Sequence, residues 1–252
     1  MELRTVLITQ ARTGSTRLPG KVLMEVNGTS LLRIHLDRLK KSKKVDKIIV
    51  ATTHCVEDNI IEKLATEWGY EVFRGSENDV LDRFYQAVKN IKPIWVVRVT
   101  SDCPLIDPIL VDKIIEVTEL ESKDYGSNVI DETFPDGQDV EVFKFSALET
   151  AWKNAKKDSE REHVTPYIRN NSNYKGENIF SSLSYKNNID YSKIRITVDE
   201  ANDFELINKV INELGFNKSW LEYTEYIINN KLIEINGKII RNEGYLKSLK
   251  ND

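Results

Sequence analysis

Four short apolar runs, rich in β-branched residues, recur in the first half of the chain, and a helical pattern follows each. "TVLIT" (5–9), "KIIVATT" (47–53), "YEVFRG" (70–75) and "WVVRVT" (95–100) are near-continuously apolar rather than alternating. That is the signature of strands covered on both faces. Between them, Ser30 to Lys40 places Leu31, Leu32, Ile34, Leu36 and Leu39 at helical spacing, and further helical patterns span Glu57 to Trp68 and Val80 to Ile91. Asp107-Pro108 opens another that runs to about Leu120, with Asp107 as its N-cap. A βαβα rhythm of this kind predicts an α/β fold whose mostly parallel sheet carries helices on both sides.

The rhythm breaks at Tyr125. "SNVIDETFPDGQDVEVFKF" is hairpin-like around Pro135-Asp136-Gly137; a helix is expected from Ser146 to Lys156, and "EREHVTPYI" reads as a single helix. "KIRITVD" (193–199) then reads as a strand returning to the main sheet, followed by a helix from Phe204 to Leu214. The expected organisation is an α/β core over 1–125 and 192–216, an inserted subdomain over 126–191, and a tail over 217–252 packed on the core. In that tail a helix and a β-like "KLIEING" are expected.

Charge and composition exclude several function classes. Lys plus Arg number 36 against 40 Asp plus Glu, a net charge of −4 that argues against a general nucleic-acid binder. No apolar run approaches the roughly 18 residues a membrane span requires, and "MELRTVLIT" lacks a signal-peptide pattern. Cys55 and Cys103 lie in core-like sequence, so a reduced, cytoplasmic setting without disulfides is expected. Three histidines and two scattered cysteines argue against structural zinc.

Ligands of open α/β sheets bind at the carboxyl ends of the strands, and four candidate features fall there. The first is "QARTGSTRLPGK" (10–21), either a solvated basic loop or a phosphate cradle. Gly14 is expected to supply the special backbone angles of an anion-binding turn, with Arg12, Arg17 and Lys21 supplying charge. Its spacing is neither GxxxxGK[ST] nor GxGxxG. The second is Asp102 in "RVTSDCPLID", after a strand apolar apart from Arg98, either a Mg²⁺ ligand or a turn aspartate. The third is Asp199 in "TVDEANDF", a potential second carboxylate for the same ion, with Asp203 in the first helical turn. The fourth is "RGSENDVLDRF", where Ser76, Asp79 and Arg83 face the site or merely cap and decorate a helix.

These stretches together carry a family resemblance. "QARTGSTRLPGKVL", "VFRGSENDVLDRFYQA", "VRVTSDCPLIDP", "FPDGQDVEVF", "SEREHVTPYIR", "TVDEANDFELI" and the tail "IRNEGYLKSL" stand in the order in which they occur in the spore coat polysaccharide biosynthesis protein F (SpsF) family. That family is similar to the CMP-sugar-acid synthetases, such as those for N-acylneuraminate and 3-deoxy-manno-octulosonate. The resemblance implies a nucleotide-diphospho-sugar transferase (GT-A-like, Rossmann-like) domain and a cytidylyltransferase that uses CTP, a sugar acid and Mg²⁺. It implies that Ala11, Arg12, Gly14, Ser15, Arg17 and Lys21 cradle CTP, with Arg74, Ser76 and Asp79 along the nucleotide. Arg12, Lys21 and Asp102 are the implied catalytic set, and Asp102 with Asp199 the implied metal ligands. Asn128, Gln138, Glu141, Arg161, Glu162, His163 and Arg169 are the implied acceptor residues, and the inserted segment the implied homodimer contact. Relatives commonly have glycine where Ser101 stands, and Asp-Thr-Pro-Glu-Asp where this chain reads "DEAND", so Asp102 is the firmer of the two ligands.

His163 has three readings: general base, acceptor contact, or structural member of its helix. His35 lies on the first expected helix and His54 follows a strand without a supporting motif. Two other functions share the scaffold, a glycosyltransferase acting on a preformed nucleotide-sugar and a non-catalytic binding protein. "SDC" has no aspartate two residues from Asp102, unlike a DxD-type glycosyltransferase motif, and the joint presence of Arg12, Lys21 and Asp102 argues for catalysis.

Overall fold

A computed structural model describes residues 3–239, 241–250 and 252. The start of the N-terminal run, Ile240 of the tail motif and Asn251 lie outside the described residues. In chain order the elements are β1 (Thr5–Gln10), β2 (Glu25–Val26), β3 (Thr29–Ser30), α1 (Leu31–Leu39), β4 (Lys47–Thr53), α2 (Asn59–Glu67), β5 (Glu71–Gly75), α3 (Val80–Val88), β6 (Trp95–Thr100) and α4 (Pro108–Leu120). There follow β7 (Tyr125–Ser127), β8 (Glu141–Lys144), α5 (Phe145–Asn154), α6 (Asp158–His163), α7 (Pro166–Asn170), β9 (Ser182–Ser184), α8 (Ala201–Leu214), α9 (Trp220–Asn229) and α10 (Glu243–Ser248).

The main sheet has seven strands in the order β5-β4-β1-β6-β8-β7-β9. Only β8 runs against the others, pairing antiparallel with both β6 and β7. From β1 the chain moves outward through β4 to β5, then returns to place β6 on the other side of β1. Strand order therefore reverses between β1 and β6, and the crevice at their carboxyl ends is the binding position this topology offers.

Each central strand feeds two cores, which is why these runs are apolar throughout. Val6 and Ile8 pack with Leu81 and Phe84 of α3 and Leu148 of α5. Leu7, on the opposite face, packs with Leu39 of α1 and Ile114 of α4. Ser30 caps α1 by accepting from the Arg33 amide at 3.3 Å, and Asp107 caps α4 by accepting from the Ile109 amide at 2.8 Å, with Pro108 in the first turn.

Three local expectations need correction. "KIRITVD" forms no strand of the sheet; Arg195 makes a single bridge to Asp136, and the Val198 amide donates to the Asp102 carbonyl at 2.8 Å. A longer ladder has no partner, because Pro135 lacks an N–H and Gly137 turns away at φ +105°. The segment still alternates: Ile194, Ile196 and Val198 are buried in a core with α8, while Arg195, Thr197 and Asp199 face the cleft. "EREHVTPYI" is two helices, α6 and α7, broken at Val164 with φ +71° because Pro166 cannot extend a helical ladder. "KLIEING" closes on itself as a 3-10 turn at Leu232–Glu234 after Lys231 adopts φ +56°.

Candidate active site

The carboxyl edge of the sheet opens into a cleft of about 870 Å³. The loop after β1 forms one wall, the loop after β6 forms the floor, and α6, α7 and the C-terminal segment close the far side. A Cβ on Gly137 would meet the backbone nitrogen of Thr197 at 2.6 Å. That close approach seats 194–199 against the 135–137 turn and brings Asp199 to the floor beside Asp102.

At the centre, the Lys21 ammonium lies 2.6 Å from Asp199 Oδ1 and 3.3 Å from Asp102 Oδ2. Burial works against the charge on Lys21, yet the two carboxylates raise its pKa above the ordinary lysine value. Burial likewise opposes ionisation of Asp102, but Lys21 and the hydroxyl of Thr100 hold its carboxyl at about 2. Lys21 and Asp102 are therefore both charged at neutral pH. Arg17 reaches Asp199 at 3.1 Å and Glu243 at 3.4 Å, and Arg12 pairs with Glu77 at 3.2 Å.

Asp199 is held by a buried scaffold. Asp203 is fully buried and accepts from the amides of Asp199 and Glu200, each at 3.0 Å. Its carboxylate also receives Arg195 Nε at 2.9 Å and Arg195 Nη2 at 3.0 Å, in bidentate fashion. Arg195 further pairs with Asp136 and, at 3.1 Å, with Asp199 itself.

A divalent cation fits this floor. Among the described residues no group of three or more His, Cys, Asp or Glu side chains is arranged as a metal cage. Two carboxylates that share one ammonium contact do meet the need of Mg²⁺, which usually takes one or two protein carboxylates and completes its shell with phosphate and water.

The opening loop is shaped differently from expectation. Gly14 is exposed and outside the left-handed region; Gly20 has φ +69° and starts the turn Lys21–Leu23 that aims Lys21 inward. Ala11 is anchored by its amide to the Ala51 carbonyl at 3.0 Å, and Ser15 Oγ accepts from the Leu18 amide at 3.4 Å.

Several residues implied by the resemblance are committed elsewhere. Arg74 spends its guanidinium on the carbonyls of Thr53 and Cys55 and on Asn59 and Glu62. Ser76 accepts from the Asp79 amide at 3.1 Å, and Asp79 caps α3 while pairing with Arg161. Asn128 is buried and bridges the Gln138 carbonyl and the Val140 amide. Gln138 is buried against the Asp107 amide and the Leu105 carbonyl, both at 2.9 Å. These side chains build the walls and do not face the cleft.

Glu141, Arg161, Glu162, His163 and Arg169 do line it. Glu141 receives Arg98, Thr165 Oγ and, at 2.6 Å, the Tyr125 hydroxyl. Burial, with Arg98 next, lowers His163 to about 4, so its ring is neutral and shares a 2.9 Å hydrogen bond with Ser248 Oγ. The C-terminal segment covers this end. Tyr245 meets His163 edge-on at 5.1 Å and lies 5.3 Å from the Arg169 guanidinium carbon.

Of the candidates in "RGSENDVLDRF", Arg83 lines the cleft, as do Arg98, Arg195, Glu243 and Tyr245, which were not among the candidates. Arg98 and Arg195 carried a signal, a lone cation inside an otherwise β-like run. Glu243 and Tyr245 carried none, since their role depends on where the tail lands.

The family model described as Cytidylyltransferase matches residues 6–238. The chain belongs to the cytidylyltransferase family. It is a nucleotidyltransferase of that family with an SpsF-like sequence, and the glycosyltransferase alternative is not favoured. An uncharacterised protein of Methanocaldococcus jannaschii is 48% identical over 81% of this chain and 82% of its own. Spore coat polysaccharide biosynthesis protein SpsF of Bacillus subtilis is 33% identical over 83% of this chain and 87% of its own. The 3-deoxy-manno-octulosonate cytidylyltransferase of Bartonella tribocorum is 34% identical over a shorter stretch, 43% of this chain and 45% of its own. Among solved structures, a cytidylyltransferase from Leptospira borgpetersenii superposes with TM-score 0.85 at 33% identity, over 96% of this chain and all of its own. Among the described residues no helix is long and apolar enough to cross a membrane.

Proposed function

We propose that this enzyme transfers CMP from CTP to a sugar acid, releasing pyrophosphate, for the synthesis of a surface polysaccharide or glycan. The observation that carries the reading is the Lys21–Asp102–Asp199 cluster at the crevice between β1 and β6. Names of relatives that act on octulosonates support the acceptor class. An acceptor hydroxyl attacks the α-phosphorus in line, its P–O bond forms, and the bond to pyrophosphate breaks. Arg12, Arg17 and Lys21 hold the phosphate chain and offset the charge that grows on the departing pyrophosphate. Asp102 and Asp199 would hold Mg²⁺, which would supply Lewis-acid neutralisation of the phosphates. Neutral His163 is available to accept the acceptor's proton, and Glu141, Arg161 and Arg169 line the acceptor side.

The remainder of the reading concerns assembly. Segment 126–191 forms the acceptor wall and the contact of a homodimer. It contains the exposed apolar residues Tyr174, Ile179 and Ile189 and the edge strand β9. Pyrophosphate release with each of four NTPs, against a panel of sugar acids and sugar phosphates, tests the chemistry. Turnover with UTP and a sugar 1-phosphate, but none with CTP and an acid, overturns it. Light scattering on the purified protein reads the oligomeric state, and a monomer at micromolar concentration removes the dimer.

A further inference from the structure

Arg83 is a buried cation with unsatisfied donors among the described residues. It is 2% exposed on α3, lines the cleft, and its Nε and Nη1 have no hydrogen bond among the described residues. Its stem packs over Gly75, where an added Cβ would meet Arg83 Cγ at 3.1 Å. The carboxylates around it are taken. Asp58 accepts from the Thr13 amide at 2.7 Å and from the hydroxyls of Thr13 and Thr53. Glu77 pairs with Arg12, and Asp79 with Arg161. Burial, with Arg12 as the next cause, lowers the Arg83 pKa to about 10.

A second orphan lies on the same side of the sheet. Gln10 ends β1, two residues beyond Ile8, which packs against Leu81 and Phe84 of α3. Successive strand residues alternate faces, so Gln10 shares the face that carries Arg83. Its Oε1 is buried and unbonded among the described residues, and Gln10 also lines the cleft. Buried polar atoms in folded proteins are almost always satisfied, so a paired orphan donor set and orphan acceptor ask for a ligand.

We propose that Arg83 and Gln10 read the base of the nucleotide, Arg83 donating to two adjacent acceptors and Gln10 accepting from an amino group. Cytosine presents that sequence along one edge, acceptors at O2 and N3 and a donor at N4. Uracil presents a donor at N3 and an acceptor at O4, so it opposes an Arg83 donor and the Gln10 carbonyl oxygen at once. The guanidinium fork suits two acceptors side by side. The inference rests on the nucleotidyl-transfer reading and adds to it the residues that select the base.

The test is calorimetric titration of CTP, UTP and inorganic tripolyphosphate into the wild type, Arg83→Met, Arg83→Lys and Gln10→Ala. The wild type is expected to prefer CTP to UTP. Arg83→Met is expected to weaken CTP by about 10- to 100-fold, to erase the preference, and to leave tripolyphosphate binding unchanged. Arg83→Lys retains part of the affinity, and Gln10→Ala narrows the CTP-over-UTP ratio. The empty Arg83→Met protein is expected to melt no lower than wild type, since a buried unpaired charge is a liability there. Loss of tripolyphosphate binding in Arg83→Met moves Arg83 to the phosphates and overturns the proposal. Unchanged CTP-over-UTP preference in both Arg83→Met and Gln10→Ala also overturns it. A wild type that prefers CTP but releases no pyrophosphate with any acceptor retires the transferase reading and leaves the base reading standing.

Discussion

Lys21 Nζ sits 2.6 Å from Asp199 Oδ1, joining two residues 178 positions apart in the chain. With Asp102 at 3.3 Å on the same nitrogen, one ammonium balances two carboxylates at the floor of the cleft. Replacing Asp102 by Asn removes the charge and keeps the shape. Asp102→Asn is expected to lower kcat by on the order of 10²–10³, as for loss of one preorganised electrostatic contact in an active site. The far-UV circular dichroism should be unchanged. Steady-state pyrophosphate release across a Mg²⁺ series reads the effect, and near-normal turnover places the metal elsewhere.

Asp203 supports Asp199 from beneath. It is fully buried, holds two backbone amides of the 199–200 turn, and grips Arg195 with both oxygens. Asp203→Ala leaves Arg195 short of a carboxylate and two amides unpaired, a loss of about 3–5 kcal/mol. Urea unfolding measures it, and a cost below about 1 kcal/mol means the network contributes no more than a surface pair.

How much of this was legible in the sequence follows from the range of each interaction. The strands β1, β4, β5 and β6 and the Asp107 cap of α4 depend on neighbours in sequence, and they appear where the apolar runs and the Asp-Pro step stand. "KIRITVD" resembles those strands in composition, but it lies against the 135–137 turn, where Pro135 and Gly137 limit pairing to the single Asp136–Arg195 bridge. Asp102 and Asp199 were visible as aspartates at the ends of β-like runs. Asn128 and Gln138 hydrogen-bond backbone groups of the wall, and in sequence a polar residue of a shared motif looks the same whether it faces a ligand or satisfies a buried amide. The C-terminal cover over His163 and Arg17 is a long-range contact with no periodicity to announce it.

If Arg17 holds the phosphate chain as proposed, Glu243 competes with phosphate for it. The pair is 3.4 Å long with both side chains about one third exposed, so its worth is within about 1 kcal/mol. Glu243→Gln is expected to lower KM for CTP by up to about 5-fold and to leave kcat near its original value. The gain should shrink as salt screens the pair. A raised KM in Glu243→Gln means that the glutamate assists binding rather than competing with it.

His35 gives a stability term with a defined sign. It is fully buried between β1 and the β6 loop, sharing 2.9 Å hydrogen bonds with Thr9 Oγ1 and the Cys103 carbonyl. Burial lowers its pKa from 6.5 to about 4. Between those values the unfolded chain binds a proton that the native protein refuses, so stability falls as pH drops from 6.5 towards 4 and is unaffected above 6.5. The full loss from this one residue is about 3 kcal/mol. His163 adds a loss of the same sign, while Asp139, raised by burial to about 7 despite Arg241, works in the opposite sense. Comparing wild type with His35→Gln cancels both. Urea midpoints at pH 7 and pH 4.5 should drop further in the wild type than in the variant, and equal drops would show that His35 is already protonated in the folded protein.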